Sequence, residues 1–363
     1  LIYGKVCRIM EESKYVRAKA EDLKKFCSEV LEKVGVSPAD AEIISDSLVK
    51  SDLMGVNSHG LIRFPFYIER MVKGGTKVDP EIKVLSETAA IASLDGDNGM
   101  GQVLTSKATE MAIAKAEKLG IGFVVLKNSC HFGAAGYYAL QAVEKDMIGI
   151  VWSNGCAVMA PWGGCARTIG NNPLAVAFPT GSYDPFLLDM AMSKVAGGKV
   201  RLYAKKGEKI PTDWIINKDG QVTDDPNDLP DGGALLSMGH KTYGLAMVGE
   251  ILAGVLPGSG LMSQIPLWFK EVTTPTDIGH MVLVIDIKKF LPVTEFNMKV
   301  DGIIQELKGS KRAEGVDEIL FPGELEARNE REQLEKGVEL PTAVMEDLDN
   351  VGNVYGVASV KRL

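Results

Sequence analysis

A chain of 363 residues is longer than one hydrophobic core usually supports, so two or three lobes are expected. With 45% apolar and 24% charged residues it has the composition of an ordinary globular protein, and its formal net charge of -8 argues against nucleic acid as a partner, because neutralising phosphates needs a basic surface. The five cysteines, Cys7, Cys27, Cys130, Cys156 and Cys165, are odd in number and form no Cys-x-x-Cys pair, which disfavours a disulfide framework and a structural zinc site and points to reduced thiols in a cytoplasmic protein.

Residues from about Lys14 to Met54 read as helical. Leu23, Phe26, Val30, Leu31 and Val34 recur at helical spacing, and Ser37-Pro38-Ala39-Asp40 has the form of a cap for a second helix carrying Ile43, Ile44, Leu48 and Val49. That helix leads into Asn57-Ser58-His59-Gly60. Leu61 to Met71 then reads as a third helix, with Arg63 and Tyr67 four positions apart on one face. The amino terminus is charged and amphipathic where a signal peptide would carry an apolar core, and the run near Gly244 to Gly258 is broken by Glu250, so no membrane span is expected.

From Ile91 the pattern becomes strand, helix, strand: Ile91 to Asp95, Gln102 to Leu119, Gly122 to Leu126. A second such unit has a strand at Met281 to Ile285, a helix near Val300 to Leu307 and a strand at Ile319-Leu320-Phe321. The two are read as sharing one sheet, with the segment between them inserted as a domain. Its short apolar runs, Ile148 to Trp152, Leu174 to Phe178 and Phe186 to Met190, have few intervening helices, which favours antiparallel pairing. The expected division is a helical domain at 1–85 to which 326–363 returns, a small α/β domain at 86–126 with 276–325, and a third domain at 127–275.

Only four histidines occur, His59, His131, His240 and His280. His131 stands between a strand and Gly133-Ala134-Ala135-Gly136, so it should emerge where the strand ends and a helix begins, which suits a proton acceptor or donor as well as a hydrogen-bonded structural residue. Arg63 has the side chain that grips a carboxylate with two parallel hydrogen bonds. Ser58-His59 has the form of a hydroxyl-imidazole relay, or of a turn cap. Gly239 to Gly244 opens an apolar helix, Leu245 to Leu256, and Lys241 beside its amino terminus would favour phosphate oxygens. The Gly-x-Gly-x-x-Gly fingerprint of a Rossmann fold is missing, since Gly96-Asp97-Asn98-Gly99-Met100-Gly101 has other spacing. No His-Glu-x-x-His occurs, so no metal is expected, and Cys130 beside His131 offers a thiol nucleophile only if both side chains reach one site.

Taken together, Asn57-Ser58-His59-Gly60-Leu61-Ile62-Arg63, Cys130-His131-Phe132-Gly133-Ala134-Ala135, Gly170-Asn171-Asn172-Pro173-Leu174-Ala175, Leu188-Asp189-Met190-Ala191, Gly239-His240-Lys241-Thr242-Tyr243-Gly244 and Phe321-Pro322-Gly323-Glu324 resemble, in order and over nearly the whole chain, the second type of malate/L-lactate dehydrogenase. That family also holds sulfolactate and ureidoglycolate dehydrogenases and a cyclic imino acid reductase. The resemblance implies an α/β fold of the α+β kind: a non-Rossmann nicotinamide-binding domain with a largely antiparallel sheet, here 127–275, plus helical and smaller α/β domains. It implies a homodimer using NAD, or NADP, with the site near the subunit contact. By the same resemblance His131 is the proton acceptor with Ser58 and His59 as relay, and Arg63, Tyr67 and Asn172 hold the substrate. Asn154, Gly155, Asp189, Met190, Ala191, Lys241, Gly323, Glu324 and Leu325 hold the cofactor. Gly155 stands where relatives can carry serine and Thr242 where glycine is frequent, so cofactor preference stays open.

The expected reaction is reversible hydride transfer between nicotinamide and a small 2-hydroxy acid, malate/oxaloacetate first and L-lactate next. Ureidoglycolate, sulfolactate or a cyclic imino acid would keep the same chemistry with another pocket. A nucleotide-binding module without catalysis and a thiol hydrolase using Cys130 are the readings from other classes.

Overall fold

The structure, a computed structural model, describes residues 15–363. Cys7, Lys14 and the reading of the amino terminus lie outside the described residues. Ala20–Val34 forms a helix that buries Leu23, Phe26, Cys27, Val30 and Leu31, the stripe that its periodicity predicts. The Ser37 side chain accepts from the Asp40 N–H, and Pro38–Leu53 follows as the second helix. The first helix does not reach back to residue 15. Tyr15–Ala18 is a strand paired antiparallel with Val338–Pro341, a partner so distant in sequence that no local pattern reveals it. Glu324–Lys336 packs on Pro38–Leu53, and Thr342–Tyr355 on Ala20–Val34, so the end of the chain closes over its beginning.

One sheet of seven strands forms the spine, in the order Lys83–Glu87, Ile91–Asp95, Ile121–Ser129, Ile278–Asp286, Met147–Ser153, Leu174–Phe178, Phe186–Met190. Every neighbouring pair is antiparallel except Ile91–Asp95 with Ile121–Ser129, which the helix Gly101–Leu119 connects as a parallel crossover. The central strand Ile278–Asp286 joins both halves: Val282 faces Val124 on one side and Val151 on the other.

Both faces of the sheet are covered, which is why its central strands read as continuous apolar runs. Val124, Leu126, Val151, Val282 and Val284 pack under the helices Gly101–Leu119 and Gly136–Val143. Phe123, Val125, Trp152 and Met281 pack into the opposite layer with Met159, Ile169 and Ala246. The helices approach closely because the strands carry glycine there: a Cβ on Gly122 would fall 1.9 Å from the Ala112 carbonyl oxygen and one on Gly149 2.4 Å from that of Ala139.

Three further expectations change. Ile319-Leu320-Phe321 is not a strand, because Pro322 ends the run and the backbone turns: Phe321 O accepts the Glu324 N–H, and the Phe321 N–H goes to the Glu324 carboxylate. The helix expected near Val300 extends over Val293–Gly309. The helix expected from Leu245 begins at His240, runs to Gly249 and widens into a π-helix over Glu250–Val255. Among the described residues no helix is long and apolar enough to cross a membrane.

Candidate active site

A cavity of about 810 Å³ opens beside the carboxyl end of Ile121–Ser129. The strand stops at Ser129, the helix Gly136–Val143 begins seven residues on, and His131 lines the cavity from the connection. Ser58 and His59 come from a one-turn 3₁₀ helix, Asn57–His59, and Arg63 from the next, Leu61–Arg63, before the helix Phe64–Val72 presents Tyr67. These turns are held from below by Asp52, whose carboxyl accepts the Leu61 N–H at 2.7 Å and leaves no room for a side chain at residue 60. Burial pushes that carboxyl up to about 8.

The Tyr67 hydroxyl lies 2.6 Å from His131 Nδ1, and the Gly133 N–H donates to the same nitrogen at 3.3 Å. Nε2 is therefore the nitrogen left for a reactant. When Nδ1 accepts from Tyr67 and Gly133, Nε2 carries the ring proton and can donate. When the phenol turns to accept from Nδ1–H, Nε2 becomes the base. His59 stacks parallel to His131 at 5.6 Å between ring centroids, and its Nδ1 meets Ser58 Oγ at 2.9 Å. Burial, reinforced by Arg63, lowers His59 to about 4. Burial, then the His59 and Arg63 charges, hold His131 well below the usual imidazole range. Both rings are partly exposed to the cavity yet deep within the protein, and the lowered proton affinity keeps them neutral at pH 7, so a proton taken up there is readily given back.

Trp268 completes the site, although nothing in the sequence pattern singled it out. Its ring stacks on His131 at 4.4 Å and carries the Arg63 guanidinium at 5.5 Å on a face. A buried arginine sets its position. Arg70 donates to the carbonyls of Trp268 and Glu271 (both 2.9 Å), Gly75 (2.7 Å) and Thr274 (2.8 Å) and to Thr76 Oγ1 (3.3 Å), so all five N–H groups are engaged. The available signal was compositional: Leu267-Trp268-Phe269 is an apolar, aromatic triplet inside a loop of Pro, Thr and Ser, and the chain has only four tryptophans.

Of the residues expected to hold a cofactor, Asn154, Gly155, Asp189, Ala191 and Gly323 line this cavity. Asp189 accepts the Gly136 N–H at 2.7 Å at the start of a helix, and its deep position raises its carboxyl to about 6. Asn154 is tied into the scaffold, its amide donating to Gly260 O at 2.8 Å and its oxygen accepting the Gly279 N–H at 2.8 Å. Met190, Lys241, Glu324 and Leu325 are not in the lining. Met190 packs into the layer under the sheet, Lys241 is exposed on the first turn of its helix, and Glu324 is buried in contact with Lys308 at 2.7 Å. Asn172, expected at the substrate, is fully buried and donates to Ala246 O at 2.9 Å and Glu250 Oε2 at 2.8 Å, whereas its neighbour Asn171 reaches the cavity. The Cys130 thiol is buried 3.0 Å from Thr76 Oγ1 and does not reach the cavity that His131 lines, which removes the thiol nucleophile. Cys27, Cys156 and Cys165 are likewise free thiols, and among the described residues no group of His, Cys, Asp and Glu could hold a metal ion.

Paired neutral imidazoles and a guanidinium lining one cavity, with the Tyr67 phenol buried behind His131 and outside the lining where a substrate contact was expected, define an acid–base enzyme. The family model described as malate/L-lactate dehydrogenase matches residues 18–349. The chain is 39% identical over 358 residues to malate dehydrogenase of Pyrococcus horikoshii, covering 95% of this chain and 97% of that protein. It is 40% identical over 342 residues to L-sulfolactate dehydrogenase of Methanocaldococcus jannaschii, covering 93% and 97%. Its fold matches the crystal structure of malate dehydrogenase from Entamoeba histolytica with a TM-score of 0.91 at 31% identity, over 95% of this chain and 99% of that one. The protein belongs to the malate/L-lactate dehydrogenase family and is an oxidoreductase.

Proposed function

We propose that this dehydrogenase transfers a hydride reversibly between nicotinamide and a small 2-hydroxy acid, with malate/oxaloacetate first and L-lactate next. The observation that carries the reading is the His131 imidazole in the cavity with Tyr67 on Nδ1 and Arg63 against the neighbouring tryptophan. A dinucleotide fits the lining: a cavity of about 810 Å³ is within the size of cofactor sites, and beside Asn154 a Cβ on Gly155 would meet nothing within 4 Å, which leaves the backbone open to a ligand. Asn154, Gly155, Asp189, Ala191 and Gly323 would hold it, whereas Met190, Lys241, Glu324 and Leu325 lie outside the lining. When bound, nicotinamide supplies or takes up the hydride.

The protein's own part is positional and protolytic. Arg63 orients the substrate carboxylate through its fork. His131 Nε2 removes the hydroxyl proton during oxidation and returns it to the developing alkoxide during reduction, with the Tyr67 hydroxyl reversing its hydrogen bond to match. Ser58 and His59 relay the proton outward. NAD is the proposed cofactor, with NADP as the alternative. The active unit is proposed to be a cytoplasmic homodimer, with a helical part ending near 85 and resuming at 326, and with a small α/β part at 86–126 and 276–325 that shares the seven-stranded sheet with the cofactor part at 127–275. Ureidoglycolate, sulfolactate and cyclic imino acids remain the alternative substrates.

The test is an absorbance assay of NADH and NADPH oxidation with oxaloacetate, pyruvate, sulfopyruvate, 2-oxoglutarate and a cyclic imino acid, with ureidoglycolate assayed in the oxidative direction. The productive pair is repeated with His131→Ala. Saturable turnover with one 2-oxo acid is expected, falling at least about 10²-fold in the variant while NADH binding persists. Wild-type turnover in His131→Ala would remove it from the mechanism, and cofactor binding without turnover of any substrate would favour a non-catalytic module.

A further inference from the structure

The cavity continues past the reactive histidine to a second cationic end. Arg201, on the helix Gly197–Lys206, and Arg167 both line it. The Arg201 guanidinium lies over the Phe269 ring at 5.4 Å, Phe269 meets Trp268 edge-on at 5.7 Å, and Trp268 carries Arg63 at 5.5 Å. Two arginines thus stand at the two ends of one row of aromatic contacts, on the loop whose Trp268 stacks on His131. Arg167 is anchored, its Nε donating to Gly233 O at 2.6 Å and its Nη2 to Leu229 O. Burial, then the charge of Arg201, lowers its proton affinity.

No carboxylate among the described residues forms an ion pair with Arg201 or Arg167. The unusual feature is the sign of the wall: in a chain of net charge -8, Arg63, Arg167, Arg201, Lys270 and Lys50, the last paired with Glu330, line the cavity against Asp189 and Glu326. Adjacent like charges with no acid between them raise the energy of the empty site, and an oxyanion entering between them relieves that repulsion. The two ends also differ in form: Arg63 sits beside the proton-transferring group, whereas Arg201 stands one aromatic ring further along.

We infer that Arg201, assisted by Arg167, forms a second oxyanion subsite that binds the distal acid group of the substrate. The ligand class is a 2-hydroxy or 2-oxo acid bearing a carboxylate or sulfonate on C3, held at the other end by Arg63. This rests on the proposed 2-hydroxy acid chemistry. It assigns the discrimination between malate-like and lactate-like acids to a residue outside the proton-transfer machinery. The same oxyanion chemistry could be supplied by a cofactor phosphate, and the measurements separate the two.

The experiment compares kcat/KM for oxaloacetate, sulfopyruvate and pyruvate in the wild type, Arg201→Gln and Arg201→Lys, with NADH and NADPH affinity read by fluorescence. Losing a charged fork partner should lower kcat/KM about 10- to 100-fold for the two diacids, with pyruvate changed less than about twofold and cofactor affinity intact. Arg201→Lys, which keeps charge but not the fork, should fall between. An equal loss for all three acids, or an unchanged ratio, overturns the subsite. Weakened NADH binding with an unchanged ratio assigns the guanidinium to a cofactor phosphate instead. If the wild type turns over none of the three acids, the proposed reaction fails. Calorimetry of malate against lactate on the cofactor-loaded protein then decides the subsite by itself: malate should bind more weakly to Arg201→Gln than to wild type, and equal affinities reject it.

Discussion

His131 and His280 are both deep in the protein, and so are parts of Arg63 and Arg70, seven positions apart, yet the cavity wall and the interior behind it treat them differently. His280 is fully enclosed, with Nδ1 at 3.0 Å from Ser153 Oγ, Nε2 at 2.9 Å from Ser129 Oγ and Phe132 stacked on its ring at 4.6 Å. Both nitrogens are satisfied, so the ring fastens the central strand to its two neighbours. His131 is held through Nδ1 alone. Arg70 gives every donor to oxygens of the backbone and Thr76, whereas Arg63 donates its Nε to Ser58 O at 2.7 Å and still lines the cavity. Residue type and burial are shared between the two regions, and reactivity follows the hydrogen-bonding atom that the fold leaves facing the cavity.

The contrast can be broken most forcefully at Arg70. Replacement by alanine strands the carbonyls it gathers and releases Trp268 from His131. It should cost about 3–5 kcal/mol in urea unfolding and lower kcat as well. A variant with normal kcat would separate the clamp from the site. His280→Ala should come next, destabilising by about 2–4 kcal/mol while leaving kcat within a few-fold at a permissive temperature. It also carries a pH signature. Burial lowers His280 to about 3, against 6.5 for an exposed imidazole, so unfolding takes up a proton between those values and stability falls as pH drops through that window. The variant should show a shallower acid limb by thermal denaturation, and an unchanged limb would acquit His280.

Asp52→Asn should change stability least in acid, where the folded and unfolded chains both hold the proton, and increasingly as pH rises toward 8. Between 3.8 and 8 the unfolded chain releases a proton that the folded one keeps, so this group makes stability decline as pH rises. Asparagine should abolish that decline. A variant whose stability still falls between pH 4 and 8 as the wild type does would mean that Asp52 is not its source.

Much of the site was legible because its parts lie in short turns with distinctive residues: Ser58, His59, Arg63 and His131 were all expected at one site, and all line one cavity. Tyr67 was legible as a neighbour of Arg63 through its four-residue spacing, but it is buried against His131 Nδ1 and does not line the cavity where a substrate contact was expected. Trp268 was not, since its loop has no periodicity and its place depends on Arg70, two hundred residues away. Asn172 and Asn171 could not be told apart in sequence, because which one points inward is decided by packing against Glu250 and the helix after Gly239. The strand Tyr15–Ala18 was hidden for the same reason as the loop: a two-stranded ladder exists only through its remote partner. Ile319-Leu320-Phe321 misled because a three-residue apolar run fits a strand or a buried turn equally well.

The order of the sheet also constrains how this protein comes into being. Ile278–Asp286 is central in space but late along the chain, arriving about 125 residues after Ser153, its partner on one side, and 149 after Ser129, its partner on the other. During synthesis the segments on either side are made first, and each would hold an unpaired apolar edge until residue 286 leaves the ribosome. Such non-local closure is slow. The strand that unites the finished molecule is thus also the one whose delay exposes the nascent chain to aggregation, and truncations just before residue 278 should be the least soluble of a nested series.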